Sequence, residues 1–222
     1  MRIDLHVHTC FSPDSLTSLD EVEHWMARRD IAMVAICDHD AIAGALALHA
    51  RLPHAIIVGQ EISTTHGEII GLFLRELVIP GLPPREAIAR IRAQGGLVYL
   101  PHPLDRQRGF DRRGAGPLGI VDQVDIVEVL NARTGRDDDN ARALELAVHA
   151  QRALGAGSDA HLGCEIGRAW VEVAPFEGPT GLLHVLHRGQ IGGRRSQPWV
   201  HLGSRSAHLV NRLRGRAHAA RY

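Results

Sequence analysis

Fifteen histidines stand in this chain of 222 residues, and several lie beside carboxylates at spacings that suit metal chemistry. His6 and His8 are two apart, which on an extended chain turns both rings to one side. Asp38-His39-Asp40 is a compact triplet, Glu61 is followed closely by His66 and Glu68, His102 stands between Pro101 and Pro103, and Asp159 precedes His161 by two. Neutral imidazole and carboxylate together are ligands for Zn, Mn and Fe, and a mixed N/O set suits a hydrolytic metal ion. Crowded at one mouth without cations, such groups repel; with cations between them the crowding is stabilising.

The elements that must position these residues are short apolar strands alternating with amphipathic helices. Ile3–His8 opens as a strand. Leu19–Arg29 has helical spacing, with Ser18 as N-cap and Asp20 and Glu21 in the first turn. Strands are expected at Ile31–Cys37, Ala55–Gly59, Glu68–Leu74, Leu97–Leu100, Asp125–Val129, Leu154–Gly157 and Gly167–Val173. Helices are expected at Ala41–Arg51, Pro83–Ala93, Asp138–Leu154, Thr180–His187 and Ser206–Arg216. Strand–helix alternation of this kind predicts an α/β fold with a mainly parallel sheet, a barrel or a doubly wound sheet. The first strand lacks a dinucleotide-type glycine fingerprint, which weighs against the doubly wound form. On this scaffold the metal-type residues all fall at strand ends, where parallel α/β barrels build their active sites.

Composition excludes several chemistries. All 25 basic residues are arginine, so there is no lysine for a Schiff base or a Walker-type phosphate site. Basic and acidic residues cancel, which argues against a protein that coats nucleic acid over its whole surface. The charge is nonetheless divided: residues 1–177 carry −8, and residues 178–222 carry eight arginines and no carboxylate. Three cysteines, without a paired framework, favour a reducing, cytoplasmic setting. The start lacks a signal-peptide core, and no apolar run approaches the ~20 residues a membrane span needs, so no membrane role is expected. The organisation expected is a domain over residues 1–190 and a basic C-terminal tail over 191–222, carrying a short helix that packs on the domain or extends from it.

Six segments carry a resemblance to a known family: Asp4-Leu5-His6-Val7-His8-Thr9 with Ser12-Pro13-Asp14; Cys37-Asp38-His39-Asp40; Gly59-Gln60-Glu61-Ile62-Ser63; Pro101-His102-Pro103; Val127-Glu128-Val129-Leu130-Asn131-Ala132-Arg133; and Gly157-Ser158-Asp159-Ala160-His161. Over residues 2 to about 174 the chain resembles the PHP (polymerase and histidinol phosphatase) domain family. The resemblance implies a distorted seven-stranded (β/α) barrel of TIM-like type, holding two or three divalent ions (Mn, Fe or Zn) and hydrolysing phosphate esters. Carried over by motif, it implies His6, His8, Glu61 and Asp159 around one metal, Glu61 bridging to a second shared with His102, and Asp14, His39 and His161 around a third. Where the family commonly has histidine, this chain has Glu68; either Glu68 is an oxygen ligand, favouring Mn or Fe(II) over Zn, or His66 reaches in instead, or the second metal is weakly held. Glu68 is the preferred ligand, with His66 at the rim.

The implied reaction is in-line attack by a metal-held hydroxide on a small phosphorylated metabolite or nucleotide. Asp38, Asp40 or His161 could protonate the leaving group, and the sequence does not choose among them. Arg106, Arg108, Arg112 and Arg113 follow His102, and Arg133 follows Glu128; with Arg168 these are candidates to fork onto substrate phosphate. The alternative reading, a 3′–5′ exonuclease or nucleic-acid-binding PHP protein, rests on the arginines of the tail, including Arg205, Arg212, Arg214 and Arg216. No large insertion separates the motifs, which predicts an open site.

Overall fold

The computed structural model describes residues 1–110, 114, 116–197 and 199–213. It begins with strand β1 (Arg2–Val7), helix α1 (Leu19–Arg29), β2 (Met33–Ile36), α2 (Ala43–Arg51), β3 (Ile56–Thr64), β4 (Gly67–Leu72), α3 (Pro84–Ala93) and β5 (Leu97–Leu100). It continues with β6 (Ile126–Asn131), α4 (Asp137–His149), β7 (Ala153–Gly157), β8 (Ala169–Glu172), α5 (Gly178–Leu186), β9 (Gln190–Gly193) and α6 (Val200–Leu213). Among the described residues no helix is long and apolar enough to cross a membrane.

All nine strands join one sheet in the order β7-β6-β5-β4-β3-β2-β1-β8-β9. β1, β2 and β3 pair in parallel, β4 runs antiparallel between β3 and β5, and β5, β6 and β7 are again parallel. The sheet then closes on itself. The backbone just past β7 pairs with the end of β1 through a Val7–Ala160 bridge, the His8 N–H donating to the Ala160 carbonyl at 2.9 Å and the Asp159 N–H to that of His6 at 2.7 Å. Seven strands thus form the α/β barrel, and β8 and β9, joined through α5, add an antiparallel pair on the other half of β1, at Arg2 and Ile3. The sheet therefore has nine strands where seven were expected, and it runs to Gly193, past the expected domain boundary at 190.

Alternation along the strands builds two faces. Val34, Ile36, Ile62, Ile69, Val98, Leu100 and Val127 pack with helical residues such as Val22, Met26, Ala45, Leu48, Ile88, Ile91 and Ala147. The alternate residues Ala35, Cys37, Ile57, Ile70, Leu72, Tyr99 and Ile126 fill the other face. That second row ends in acid: Ile57 leads through Gly59 to Glu61, and Ile126 to Glu128. Glu68 reaches the same rim from the start of β4, because that strand is antiparallel and its Glu68 pairs with Ser63 of β3. The polar groups are thus confined to one end of a barrel whose remainder is apolar.

Local signals explain most boundaries. Ser18 and Glu21 form a capping box, the Glu21 N–H donating to Ser18 Oγ at 3.2 Å and the Ser18 N–H to Glu21 Oε2 at 2.8 Å. β3 extends beyond the expected Gly59 because Glu61–Thr64 continues as a hairpin with β4. α4 ends at His149 rather than Leu154, where Gln151 adopts a left-handed φ of 55° and turns the chain into β7. α6 starts at Val200, six residues earlier than the expected Ser206.

Candidate metal centre

β1 delivers His6 and His8, both fully buried, to the rim. Their Nε2 atoms are 3.1 Å apart and face Glu61 Oε2 at 3.2 and 3.3 Å; Asp159 Oδ1 lies 3.8 Å from the first and 3.4 Å from the second. Glu61 also turns its other oxygen to His102 Nε2 at 3.1 Å, with Glu68 Oε2 3.8 Å from that nitrogen and Glu68 Oε1 3.6 Å from His39 Nδ1. His39 Nδ1 is itself 3.3 Å from Glu61 Oε2, so the ring lies between two groups; its Nε2 is 3.7 Å from Asp14 Oδ2. His161 Nε2 is 2.9 Å from the same Asp14 oxygen. Three sets have ligand atoms close enough for a shared ion: His6–His8–Glu61, His39–Glu61–Glu68 and His8–His39–His161. All nine candidate ligands, His6, His8, Asp14, His39, Glu61, Glu68, His102, Asp159 and His161, converge. His66 does not: it is exposed on the β3–β4 turn, its ring against Thr65 Oγ1 at 2.8 Å.

A surrounding set of hydrogen bonds orients the rings. Glu128 Oε1 faces His6 Nδ1 at 3.1 Å and accepts from the Tyr99 hydroxyl at 2.9 Å; its Oε2 accepts from the His102 N–H at 2.7 Å and Asn131 Nδ2 at 2.9 Å. Asn131 Nδ2 also reaches Asp159 Oδ2 at 3.1 Å. His8 Nδ1 meets Ser12 Oγ at 3.0 Å, and the Ser12 hydroxyl donates to Asp38 Oδ1 at 3.1 Å. His161 Nδ1 lies 2.8 Å from the Asp159 carbonyl, which can only accept. In His6, His8 and His161 the Nδ1–H is therefore committed outward, which leaves Nε2 facing carboxylates, the orientation a metal ligand needs. Glu128, Tyr99, Asn131 and Ser12 are neighbours of the cluster to which the sequence reading gave no role; Glu128, Asn131 and Ser12 stand in the segments that carry the resemblance, and Tyr99 does not.

Several expected roles change. Asp38 is fully buried and accepts from the Thr9 N–H at 2.6 Å, the Thr9 hydroxyl at 2.7 Å and Ser12, which makes it a brace behind His8 rather than a proton donor in the cluster. Asp40 Oδ1 accepts from the Ser63 N–H at 2.8 Å and ties the loop after β2 to β3. Arg133 is buried at 5% exposure and bonds the Val200 carbonyl at 3.2 Å and Ser204 Oγ, with Glu165 Oε1 3.5 Å away, so it holds α6 instead of substrate. Arg106 lies against the start of α4, 3.6 Å from Asp138 and 3.5 Å from Asp139. Arg168 neighbours Arg29: burial and then the Arg168 charge hold the Arg29 pKa down. Among the described arginines Arg108 meets the cluster, bonded to Asp159 Oδ2 and 3.5 Å from Asp105 Oδ2. Arg112, Arg113, Arg214 and Arg216, and the side chains of Arg205 and Arg212, lie outside the described residues. Cys37 is buried with its Sγ 3.6 Å from the Leu5 and Ala35 carbonyls, a filler and not a ligand.

The electrostatics test whether cations fit. Burial opposes charge on His6 and His8, yet the carboxylates prevail: Glu61, Asp159 and Glu128 raise His6 well above its usual range, and hydrogen bonds to Asp159 and Glu61 lift His8 to about 9. In turn, against burial, His6 and His39 hold Glu61 far below the carboxylate range, and Arg108 and His6 do so for Asp159. The cluster demands positive charge, which protons supply when metal does not. At the third group the demand is sharper. Burial and the His8 charge press His161 down to about 4, so its neutral Nε2 turns a lone pair to an Asp14 carboxylate 2.9 Å away, while buried Asp14 Oδ1 lacks any hydrogen-bond partner. A cation between them satisfies both, and the donor set fits divalent metal.

Comparison with known proteins agrees with this geometry. A family profile described as PHP-associated matches residues 137–191. An uncharacterized protein of Methanocaldococcus jannaschii is 38% identical over 178 residues, covering 78% of this chain and 70% of its own. A two-domain Bacteroides vulgatus protein containing a predicted PHP-like metal-dependent phosphoesterase superposes with a TM-score of 0.70 at 14% identity, over 87% of this chain and 65% of that one. An amidohydrolase from Chromobacterium violaceum, solved with bound sulfate and no metal, gives 0.59 at 18% identity over 75% and 90%. At such identities the two solved structures speak to the fold. With that fold, the ligand motifs and the 38% identical relative in agreement, the chain belongs to the PHP domain family.

Proposed function

We propose that this protein is a metal-dependent hydrolase of phosphate esters, acting on a small phosphorylated metabolite or nucleotide with two or three divalent ions of Mn, Fe or Zn. The observation that carries the reading is the set of three imidazoles with Nδ1–H committed outward and Nε2 facing carboxylates at 2.9–3.4 Å. Bound ions would supply the activated water and neutralise charge on the phosphoryl group. The chain's own residues divide the remaining work. Glu61 offers one oxygen to the His6–His8 side and the other to His102, the placement of a bridging carboxylate. Arg108, anchored by Asp159 and Asp105 at the end of the irregular loop, presents the guanidinium that orients a phosphate oxygen. Asp38 and Asp40 are engaged by backbone and hydroxyl groups and the His161 Nδ1–H is spent on the Asp159 carbonyl, so a proton for the leaving group would come from water rather than from these three side chains.

The test is a phosphate-release screen over monoesters, cyclic diesters and short oligonucleotides. It uses protein stripped with EDTA and reloaded with Mn²⁺, beside Glu61→Gln. The reading predicts turnover that appears on reloading and falls more than about 100-fold in Glu61→Gln. Equal turnover with and without metal contradicts it. A preference for oligonucleotides would move the assignment to the nuclease alternative that the eight arginines of residues 178–222 suggest.

A further inference from the structure

α6 is fastened to the rim at both of its ends. Near its last turn Asn211, 1% exposed, directs Nδ2 at three carbonyls: Ser12 at 3.5 Å, Pro13 at 3.1 Å and Ser15 at 3.0 Å. These flank Asp14 on both sides. Three converging acceptors accommodate an amide N–H₂ and repel an oxygen, which fixes the orientation of the Asn211 side chain. At the other end buried Arg133 bonds the Val200 carbonyl and Ser204 Oγ, and its Nε lies 3.5 Å from Glu165 Oε1. Glu165 Oε2 accepts the N–H groups of His161 and Leu162, both at 3.2 Å, and Gly203 of α6 lies against the Leu162 side chain. Between these anchors Ser15 and Thr17 donate their hydroxyls to the His161 carbonyl at 3.0 and 3.1 Å. The helix therefore grips the two segments that carry Asp14 and His161. His6, His8, Glu61, Glu68 and His102 are instead set by the barrel strands and their ends.

We infer that α6 assembles the third metal site, the one formed by Asp14, His39 and His161, and that Asn211 is its positioning residue. The inference rests on the metal-hydrolase reading above and goes beyond it by making one ion of the centre depend on the C-terminal helix. Freed of Asn211, the Ser12–Ser15 turn loses the donor that its three carbonyls share, and Asp14 loses its placement opposite His161. The other two sites keep every ligand, and of their orienting bonds only that between Ser12 Oγ and His8 Nδ1 begins in the released turn.

Metal stoichiometry tests this directly. Wild type, Asn211→Ala and the isosteric Asn211→Asp are stripped with EDTA, dialysed against Mn²⁺, and their ions per chain counted by mass spectrometry. Three ions in wild type and two in both variants is the expected result, or a loss of about tenfold or more in the weakest affinity alone. Identical stoichiometry and affinity in all three overturns the inference while leaving the metal reading intact. A wild type that binds no Mn²⁺ overturns both. A purely structural Asn211 would lower the unfolding midpoint without removing an ion. Should the variants fail to fold, reciprocity supplies the second measurement on unmodified protein. If α6 assembles the site, filling it must stabilise α6 docking, so Mn²⁺ slows amide exchange in α6 of wild type and not of Asp14→Asn. An α6 whose exchange ignores Mn²⁺ while the centre fills, or responds equally in Asp14→Asn, contradicts the inference.

Discussion

His6, His8 and His161 are each held by one nitrogen and offered by the other. For His6 and His8 the holding partners, Glu128 and Ser12, lie outside the cluster, and the offered Nε2 atoms share Glu61 Oε2. Two lone pairs and a carboxylate at this separation require a positive charge, so metal and proton compete for one place. The sign of the pH dependence follows. His8 keeps its proton up to about pH 9, held by Asp159 and Glu61 against burial, and a metal ligand must be neutral. Below pH 9 each binding event therefore expels that proton, and affinity should rise by about tenfold per pH unit for one proton before levelling above it. Calorimetry of Mn²⁺ binding in buffers of different ionisation enthalpy checks this, since proton release at pH 8 is predicted and buffer-independent heats would contradict it. At this scale much was legible: strand periodicity put His6 and His8 on one face, and proximity to strand ends gathered Glu61, His102 and Asp159. Arg133 and Asp38 were not legible, because a polar residue turned inward to a backbone carbonyl or a hydroxyl has the same sequence signature as one turned to a ligand.

The elements place the ligands through a seam. β1 and the chain after β7 are joined by backbone bonds around His6, His8, Asp159 and Ala160, so three ligand-bearing positions, His6, His8 and Asp159, lie where the barrel closes. Gly157 makes the approach possible: a Cβ there would overlap that of His6 and come within 2.7 Å of Glu128 Oε1. Gly157→Ala must push apart the ring and the carboxylate that orients it. It is expected to cost about 1–3 kcal/mol in chemical denaturation and to weaken Mn²⁺ binding together with it. Unchanged stability and affinity would show that the seam has slack. Element types and order could be read from hydrophobic patterning, and α1 even to its cap. The ends that could not be read have physical reasons. Gln151 makes a left-handed turn that a glycine would have announced, and the β3–β4 hairpin carries Glu68 to the rim on a strand whose direction no local pattern reveals.

Seen whole, the molecule is a barrel with an apolar body, an acidic and histidine-rich mouth, and a basic C-terminal segment of which α6 packs against that mouth. The charge division between residues 1–177 and 178–222 has a structural use where Arg195 pairs with Asp137 at the head of α4, and separately Arg133 and Asn211 lock the helix onto the two loops nearest the third group. Of the β8–β9 pair, β8 falls within the strand expected at Gly167–Val173, whereas Gln190–Gly193 was not expected as a strand, because so short and glycine-rich a segment carries too little hydrophobic pattern to be seen in sequence. What the whole arrangement requires is that divalent ions sit among side chains brought from strands far apart in the chain. Anomalous diffraction from crystals of the protein equilibrated with Mn²⁺ reads this most directly. The account predicts peaks among His6, His8, Glu61 and Asp159 and between Glu61 and His102, with the rings oriented by their Nδ1 partners as described. A map without peaks there, in crystals shown to contain manganese, would contradict it.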